Sequence, residues 1–381
     1  MGATLTNLIP TLYSNLDVVS RELVGFIPAV TLDAQASRAA VNQSVRSFVA
    51  PAASAGDITA GVTPPNDGDQ TIGDQEIKIT KARRVPIRWT GEEERGSGPA
   101  AAAIQGAQIQ QAIRTLCNEI EADIADLYKV ASRAAGAAAT TPFGTAGDYT
   151  AASLTRKILV DNGAPVSDMQ LVLDTAAGAN LRGKQASSSQ EFGDTMLRQG
   201  VLLDVNGMMV RESGQTKTHT KGTAASATTN TAGYAVGATT ITLASAGTGT
   251  ILAGDVITFA GDTNQYVVTT GDADVSGGGT VVLAAPGLRQ AIAASATAIT
   301  VVASSPRNLG FARSAIVLAQ RLPALPANGD LASDRTSIVD PRSGLSFEVA
   351  LYPQYRQMQW EVSCAWGVKV IKPEHVAILL G

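Results

Sequence analysis

The chain has 381 residues, 45% of them hydrophobic and only 16% charged, with a net charge of −4. That length suffices for two or three domains, and a charge content below the roughly 25% of ordinary globular chains leaves surface that other subunits can cover. The acidic balance excludes a dedicated DNA or RNA binder, which needs a basic footprint, and two cysteines are too few for a disulfide scaffold.

Residues 4–28 read as a helical arm. Leu5, Leu8, Leu12, Leu16, Val19 and Leu23 recur at steps of three and four, with Pro10 kinking the arm or marking its first turn. No second local helix covers this narrow stripe, so it is expected to lie on a neighbour. The start has no basic region ahead of an apolar core, so no signal peptide is expected. No apolar run approaches the ~20 residues that span a bilayer, and no membrane contact is expected.

Residues 45–92 read as an extended excursion. A short strand, Val45–Val49, leads into a stretch of turn formers from Pro51 through Pro64-Pro65-Asn66 to Gly73, too dense for packed structure. Ile77 and Ile79, then Val85, Ile87 and Trp89, bring the chain back as strand. Lys81, Arg83 and Arg84 lie between these strands, and Glu92, Glu93 and Glu94 follow them. The two clusters read either as solvated charge or as partners between neighbouring copies. These six residues are the candidate inter-subunit contacts.

Residues 99–135 read as one long helix, about 55 Å at 1.5 Å per residue. Ser97 is placed to cap it, Pro99 fits its first turn, and Gly136 ends it. Ile109, Ile113, Leu116, Ile120, Ile124, Leu127 and Ala131 mark one stripe, without the strict heptad of a coiled coil. Between 148 and 215, Ala151–Asn162 reads as helix and Met169–Leu173 as strand. Val201–Asp204 and Met208–Arg211 read as a hairpin around Asn206-Gly207.

Composition changes near 222. Residues 222–304 are mostly Ala, Thr, Gly, Val, Ile and Ser, with four acids against the single base Arg289. Short β runs follow at Thr239–Leu243, Asp255–Phe259, Gln265–Thr269, Thr280–Leu283 and Ala298–Val302, separated by Gly and Asp. They read as a small barrel or sandwich inserted into an α/β pattern that resumes after 306. From Met358 to Ile371 the sequence alternates strictly. Met358, Trp360, Val362, Cys364, Trp366, Val368 and Val370 share one face of a long strand, which is expected to lie on the long helix.

No catalytic, cofactor or metal constellation emerges. His219 and His375 lie in contexts that read as flexible or terminal, and zinc-ligand spacings and the nucleophile elbow are absent. Cys117 and Cys364 read as buried thiols. Asp272-Ala273-Asp274 reads as a solvated turn, since the rest of a calcium loop is missing. Gly178 to Lys184 matches a phosphate loop's G-x-x-x-x-G-K, but Gln185 stands where Ser or Thr is required, so these read as loop glycines.

The order of arm, extended hairpin, beam helix, α/β lobe with an inserted β segment, and final apolar sheet resembles the major capsid (coat) protein of tailed bacteriophages. That family has the Hong Kong 97-type fold, and the narrower resemblance is to the short-tailed-phage branch with an inserted β-barrel domain. Leu252-Ala-Gly-Asp255-Val-Ile-Thr-Phe259-Ala-Gly261 and Cys364-Ala-Trp366-Gly-Val-Lys-Val-Ile-Lys-Pro373-Glu374 read like their counterparts there. The resemblance implies an α+β fold. Its parts are an N-terminal arm (1–44), an extended loop (45–92), a peripheral domain with the spine helix (93–147) and an axial domain (148–221). The inserted β-barrel domain (222–304), the rest of the axial domain (305–345) and the peripheral C-terminal sheet (346–381) follow.

The same resemblance implies a non-enzymatic shell protein without cofactors. It would join copies of itself in pentamers and hexamers, work with scaffolding, portal and decoration proteins, and touch packaged DNA only non-specifically. It would be assembled in the bacterial host cytoplasm and end in the virion capsid. The connections of the insert, such as Asp262–Asn264, are short where the family uses long loops to brace subunits. An encapsulin-like compartment shares the fold and is the alternative. A surface-layer or adhesin reading fits the Ala/Thr/Gly-rich segment but not the acidic beam helix.

Overall fold

The computed structural model describes residues 25–49, 55–58, 60–63, 73–145, 148–185, 202, 204–340 and 343–381. The leucine stripe of the arm, Leu5 to Leu23, lies outside them, as does most of the turn-rich tip of the excursion. In chain order the elements are β1 (Thr31–Ala39), β2 (Ser44–Val49), β3 (Gly73–Lys78), β4 (Lys81–Thr90), α1 (Gly91–Ser97), α2 (Ala101–Ala125), β5 (Arg133–Ala135), α3 (Thr150–Asp161), β6 (Met169–Leu173) and α4 (Thr175–Gln185). They continue with β7 (Met208–Glu212), β8 (Thr218–His219), β9 (Thr240–Leu243), β10 (Val256–Phe259), β11 (Gln265–Thr270), β12 (Gly279–Leu283) and β13 (Ile299–Val301). The last are β14 (Ser305–Ala312), β15 (Ile316–Pro323), β16 (Asp334–Val339), β17 (Ser346–Gln354), β18 (Gln357–Val370) and β19 (Val376–Leu380).

The alternating strand is β18, and it organises the first sheet. β17 pairs with its residues 357–363, β15 with 365–370, and β4 runs alongside 357–366, all antiparallel. Trp360, Val362, Cys364 and Trp366 are buried in one cluster with Ile109, Ile113, Leu116, Ile120 and Ile124 of α2, so the apolar face does lie on the helix. Three- and four-residue steps on the helix meet two-residue steps on the strand. The opposite face of β18 is covered too. Ala365 packs with Ile77 and Ile79, and a Cβ at Gly367 would stand 1.9 Å from the Lys78 carbonyl oxygen. The small residues at 365 and 367 let the extended excursion press against the sheet.

The long helix is shorter than its stripe. α2 ends at Ala125, giving about 37 Å. A 3-10 stretch, Asp126–Val130, follows, and Arg133–Ala135 is strand. The reason is tertiary: β5 finds parallel backbone partners on β19 and antiparallel ones on β11, with Gln265 opposite Ala134 and Tyr266 opposite Arg133. Gly136 ends that strand at φ +92, a conformation glycine adopts without strain. The N-terminal cap also differs. Thr90 caps α1 through a capping box with Glu93, whereas Ser97 Oγ donates to the Glu93 carbonyl oxygen.

β5 sits in a second, larger sheet ordered β13-β10-β11-β5-β19-β14-β6-β7, with β12 and β9 continuing from β11 and β8 from β14. One core lies around α3, α4, β6 and β19. Another, built on Ile241, Ile257, Phe259, Tyr266 and Val281, belongs to the β-rich segment after residue 222. The five strands expected there are β9 to β13, displaced by a residue or two at their ends. The turn at Asn206-Gly207 forms with φ of 53° and 73°, but the described residues before it contribute only the bridge Val205↔Met208. β7 instead pairs in parallel with β6.

Gly178 to Lys184 is not a loop. It lies within α4, with Ala177 and Leu181 buried and the Asp174 carboxylate accepting from the Ala177 N–H at 3.2 Å. A Cβ at Gly178 would stand 2.6 Å from Glu212 Oε2, which Arg182 contacts. The glycine serves helix–strand packing, and no phosphate cradle exists there.

Candidate interaction surfaces

The basic residues stand on β4 where it crosses α2 and borders β18. Lys81 Nζ donates to Asp123 Oδ1 at 2.7 Å, and Trp366 Nε1 donates to Asp123 Oδ2 at 2.9 Å. Arg83 Nε lies 3.4 Å from Glu119 Oε2, and Arg84 Nη1 donates to Glu361 Oε2 at 2.8 Å. Each base therefore has an acid within its own chain. The Arg83 and Arg84 side chains nevertheless remain 57% and 59% exposed.

Glu92, Glu93 and Glu94 are not brought to these bases within the subunit. They fill the first turn of α1, where negative charge complements the free N–H groups and the helix dipole. Glu93 Oε2 accepts from the Thr90 N–H at 2.8 Å, and this hydrogen bond, with that from the Thr90 hydroxyl, holds its carboxyl below the usual range. Thr90-x-x-Glu93 is a capping-box spacing, so this role was legible locally. Glu92 and Glu94 point outward into a cleft of about 750 Å³ between α1 and the β17–β18 turn. Trp89, Arg95 and Arg356 also line it, with Tyr355, 89% exposed, at the turn. An exposed aromatic beside both signs of charge is a surface that suits a protein partner.

The nearest approach to a catalytic constellation is sealed. His219, far from being flexible, is buried in β8 between two partners. Its Nδ1 lies 2.8 Å from Tyr128 Oη and its Nε2 lies 2.8 Å from Asp255 Oδ1. Since a carboxylate only accepts, Nε2 donates to Asp255. Asp255, fully buried, also takes the N–H groups of Gly222 and Leu252, the latter at 2.7 Å. Burial pushes the Tyr128 hydroxyl up to about 12. These buried bonds tie the entry of the β-rich segment to the 3-10 stretch that follows α2. Gly254, at φ +91, permits the approach, because a Cβ there would stand 2.8 Å from Tyr128 Cε2.

Cys117 and Cys364 are free and buried, and burial pushes the Cys117 thiol up to about 12, so it is not a nucleophile. Among the described residues no group of three or more His, Cys, Asp or Glu is placed to hold a metal, and no helix is long and apolar enough to cross a membrane.

Glu121, on α2, is the buried carboxyl with the clearest consequence. Its oxygens accept from the Ile27 N–H at 3.3 Å and from Ser213 Oγ. Burial raises its pKa despite these bonds. A raised folded value means that the folded chain holds the proton more tightly than the unfolded one, so stability falls as pH rises through that value. Glu121→Gln is expected to remove this dependence: the wild type should lose melting temperature relative to the variant as pH rises from the ordinary carboxyl range through the raised value. Parallel pH profiles would show that Glu121 does not titrate in this range.

The sequence matches no protein-family model and no curated protein. Solved structures do match in fold. A chain from the capsid structure of the cyanophage P-SCSP1u aligns over 94% of this chain and 88% of its own, at 12% identity and a TM-score of 0.50. A structure from the Gordonia phage Cozz aligns over 94% and 87%, at 11% identity and a TM-score of 0.46. The virus-like particle from Pyrococcus furiosus aligns over 98% and 99%, at 9% identity and a TM-score of 0.44. The first of these shows that the chain has an α+β capsid fold.

Proposed function

We propose that this chain is a major capsid protein, which self-assembles into the icosahedral shell around the double-stranded DNA of a tailed bacteriophage. The observation that carries the proposal is the match to the cyanophage capsid chain over 94% of this chain. The surfaces agree with it: an exposed basic stretch on the extended excursion, an acidic helix start, and a cleft with a protruding tyrosine.

In this reading residues 1–44 are the arm, 45–92 the extended loop, 93–147 with 346–381 the peripheral domain, 148–221 with 305–345 the axial domain, and 222–304 the inserted domain. Lys81, Arg83 and Arg84 exchange or share their acids with Glu92 to Glu94 of adjacent copies. Exposed pairs are worth only ~0–1 kcal/mol each, so they set register, and a closed shell multiplies them. Scaffolding and portal proteins, and a decoration protein, are the further partners this role calls for. Its place is the virion capsid, after assembly in the host cytoplasm.

Electron microscopy of the purified chain, with and without the products of neighbouring genes, tests the proposal. Closed icosahedral particles or regular tubes are the expected result, and a monodisperse monomer under every condition would refute it. Cargo separates a virion shell from an enzyme-filled compartment. The Arg83→Glu, Arg84→Glu double variant is expected to lower shell yield while leaving the subunit folded. Unchanged yield and shell stability would remove these residues from the interface.

A further inference from the structure

The sequence holds three Asn-Gly steps, Asn162-Gly163, Asn206-Gly207 and Asn328-Gly329. An asparagine followed by glycine can close on itself, because a residue without Cβ lets its backbone nitrogen reach the side-chain carbonyl carbon before it. The fold decides which of the three is free to do so. Asn162 Nδ2 donates to the Glu374 carbonyl oxygen at 2.7 Å and to Ser132 Oγ at 3.2 Å, which fixes its amide at the end of α3. Asn206 Nδ2 donates to Ser153 Oγ at 2.7 Å, and Asn206 is held at φ 53 in the turn before β7.

Asn328 lies in the connection between β15 and β16, where residues 326–331 are all exposed. Among the described residues none hydrogen-bonds its side chain. The turn around it is closed by one backbone bond, from the Gly329 N–H to the Pro326 carbonyl oxygen at 3.0 Å. A Cβ built on Gly329 would meet nothing within 4 Å, so neither side of the step is packed. An exposed turn with one bond to break opens at little cost, whereas Asn162 and Asn206 must first give up the bonds that hold their amides.

We infer that Asn328-Gly329 is a self-modifying site: the folded chain converts Asn328 to aspartate and isoaspartate while it protects Asn162 and Asn206. The Gly329 nitrogen gives its proton to hydroxide and attacks Asn328 Cγ. The N–Cγ bond forms, the Cγ–Nδ2 bond breaks, and the amide takes a proton from water and leaves as ammonia. Water then opens the resulting succinimide ring at either carbonyl. One opening leaves aspartate, and the other leaves isoaspartate, whose main chain runs through Cγ. Nothing is oxidised or reduced, and water is the only co-reactant. One added carboxylate takes the net charge from −4 to −5. It arises two residues before Asp330, which pairs with Arg335 and accepts from Tyr352 Oη. The inference stands independently of the shell reading.

Incubation of the purified full chain in mildly alkaline buffer made with oxygen-18 water, followed by tryptic peptide mapping, tests it. Cleavage after Arg321 and Arg335 yields a peptide whose one side-chain amide is Asn328. That peptide is expected to gain labelled carboxylate roughly tenfold faster than those of Asn162 and Asn206, the advantage of having no side-chain bond to undo. In concentrated urea the three rates should converge, through acceleration at Asn162 and Asn206. Ion exchange should show a more acidic form accumulating in the wild type and much less of it in Asn328→Gln, whose longer side chain closes the ring poorly. An unlabelled Asn328 peptide would overturn the inference, as would equal rates at the three sites in the folded chain. A ranking that persists in urea would overturn it too, since the order would then come from neighbouring sequence and not from the fold.

Discussion

Glu348→Ala is expected to destabilise the unassembled subunit by roughly 1.5–3 kcal/mol, because it removes a buried carboxylate that two arginines share, while each arginine keeps one further partner. Glu348 is 2% exposed on β17, between Arg38 of β1 and Arg335 of β16. Arg335 also pairs with Asp330, whose Oδ2 accepts from Tyr352 Oη at 2.9 Å. Arg38 Nη1 donates to the Pro323 carbonyl oxygen at 2.8 Å. One carboxylate thus fastens the approach to the extended excursion, β1, to the far edge of the first sheet. Urea unfolding of the subunit measures the loss. Glu348→Gln, which keeps volume and one acceptor, should lose markedly less. An alanine variant within about 1 kcal/mol of wild type would mean that the network is exposed to water in solution.

Asp255→Ala is the second large effect. It strands three donors in a dry site: His219 Nε2 and the N–H groups of Gly222 and Leu252. Each unsatisfied buried donor costs about 1–3 kcal/mol, so a loss of roughly 3–5 kcal/mol is expected, with partial compensation by water. The loss should be local before it is global. Limited proteolysis of the variant is expected to cut first within residues 222–304, while Asp255→Asn, which keeps an acceptor, should resist. Cleavage elsewhere at an unchanged rate inside the segment would show that the strand pairing alone holds it.

What the sequence made legible, and what it hid, follows from the range of each interaction. The alternation of β18 and the stripe of α2 are local periodicities, and each found the other because both were too apolar to face water. The strands of the β-rich segment were readable from their Gly and Asp punctuation. The end of the spine helix was not. Leu127 and Ala131 keep the helical period, but the backbone at Arg133 to Ala135 is claimed by β11 and β19, more than a hundred residues away.

Among the candidate contacts, the bases were legible as a cluster. Their intrachain acids Asp123, Glu119 and Glu361 lie far along the chain, on a helix and a strand that only folding brings alongside. Thr90 and Glu93 carried a local cap signal that outranked the reading of three acids as one patch. His219 and Asp255 were hidden because their pairing exists only in three dimensions. Asp255 is one of four acids in its segment, and nothing local marks it as the buried one.

The three residues of β5 have a geometric consequence. Because β11, β5 and β19 are neighbours in one hydrogen-bonded sheet, the β-rich segment does not hang from its two connecting strands as a bead on a thread. Its bearing on the rest of the subunit is fixed by the cumulative right-handed twist of a sheet, roughly 20–25° from strand to strand. Connector length does not enter into it. The subunit's outline in this direction is therefore a property of backbone pairing, and changes in side chains or loops across residues 222–304 can redecorate that surface without turning it.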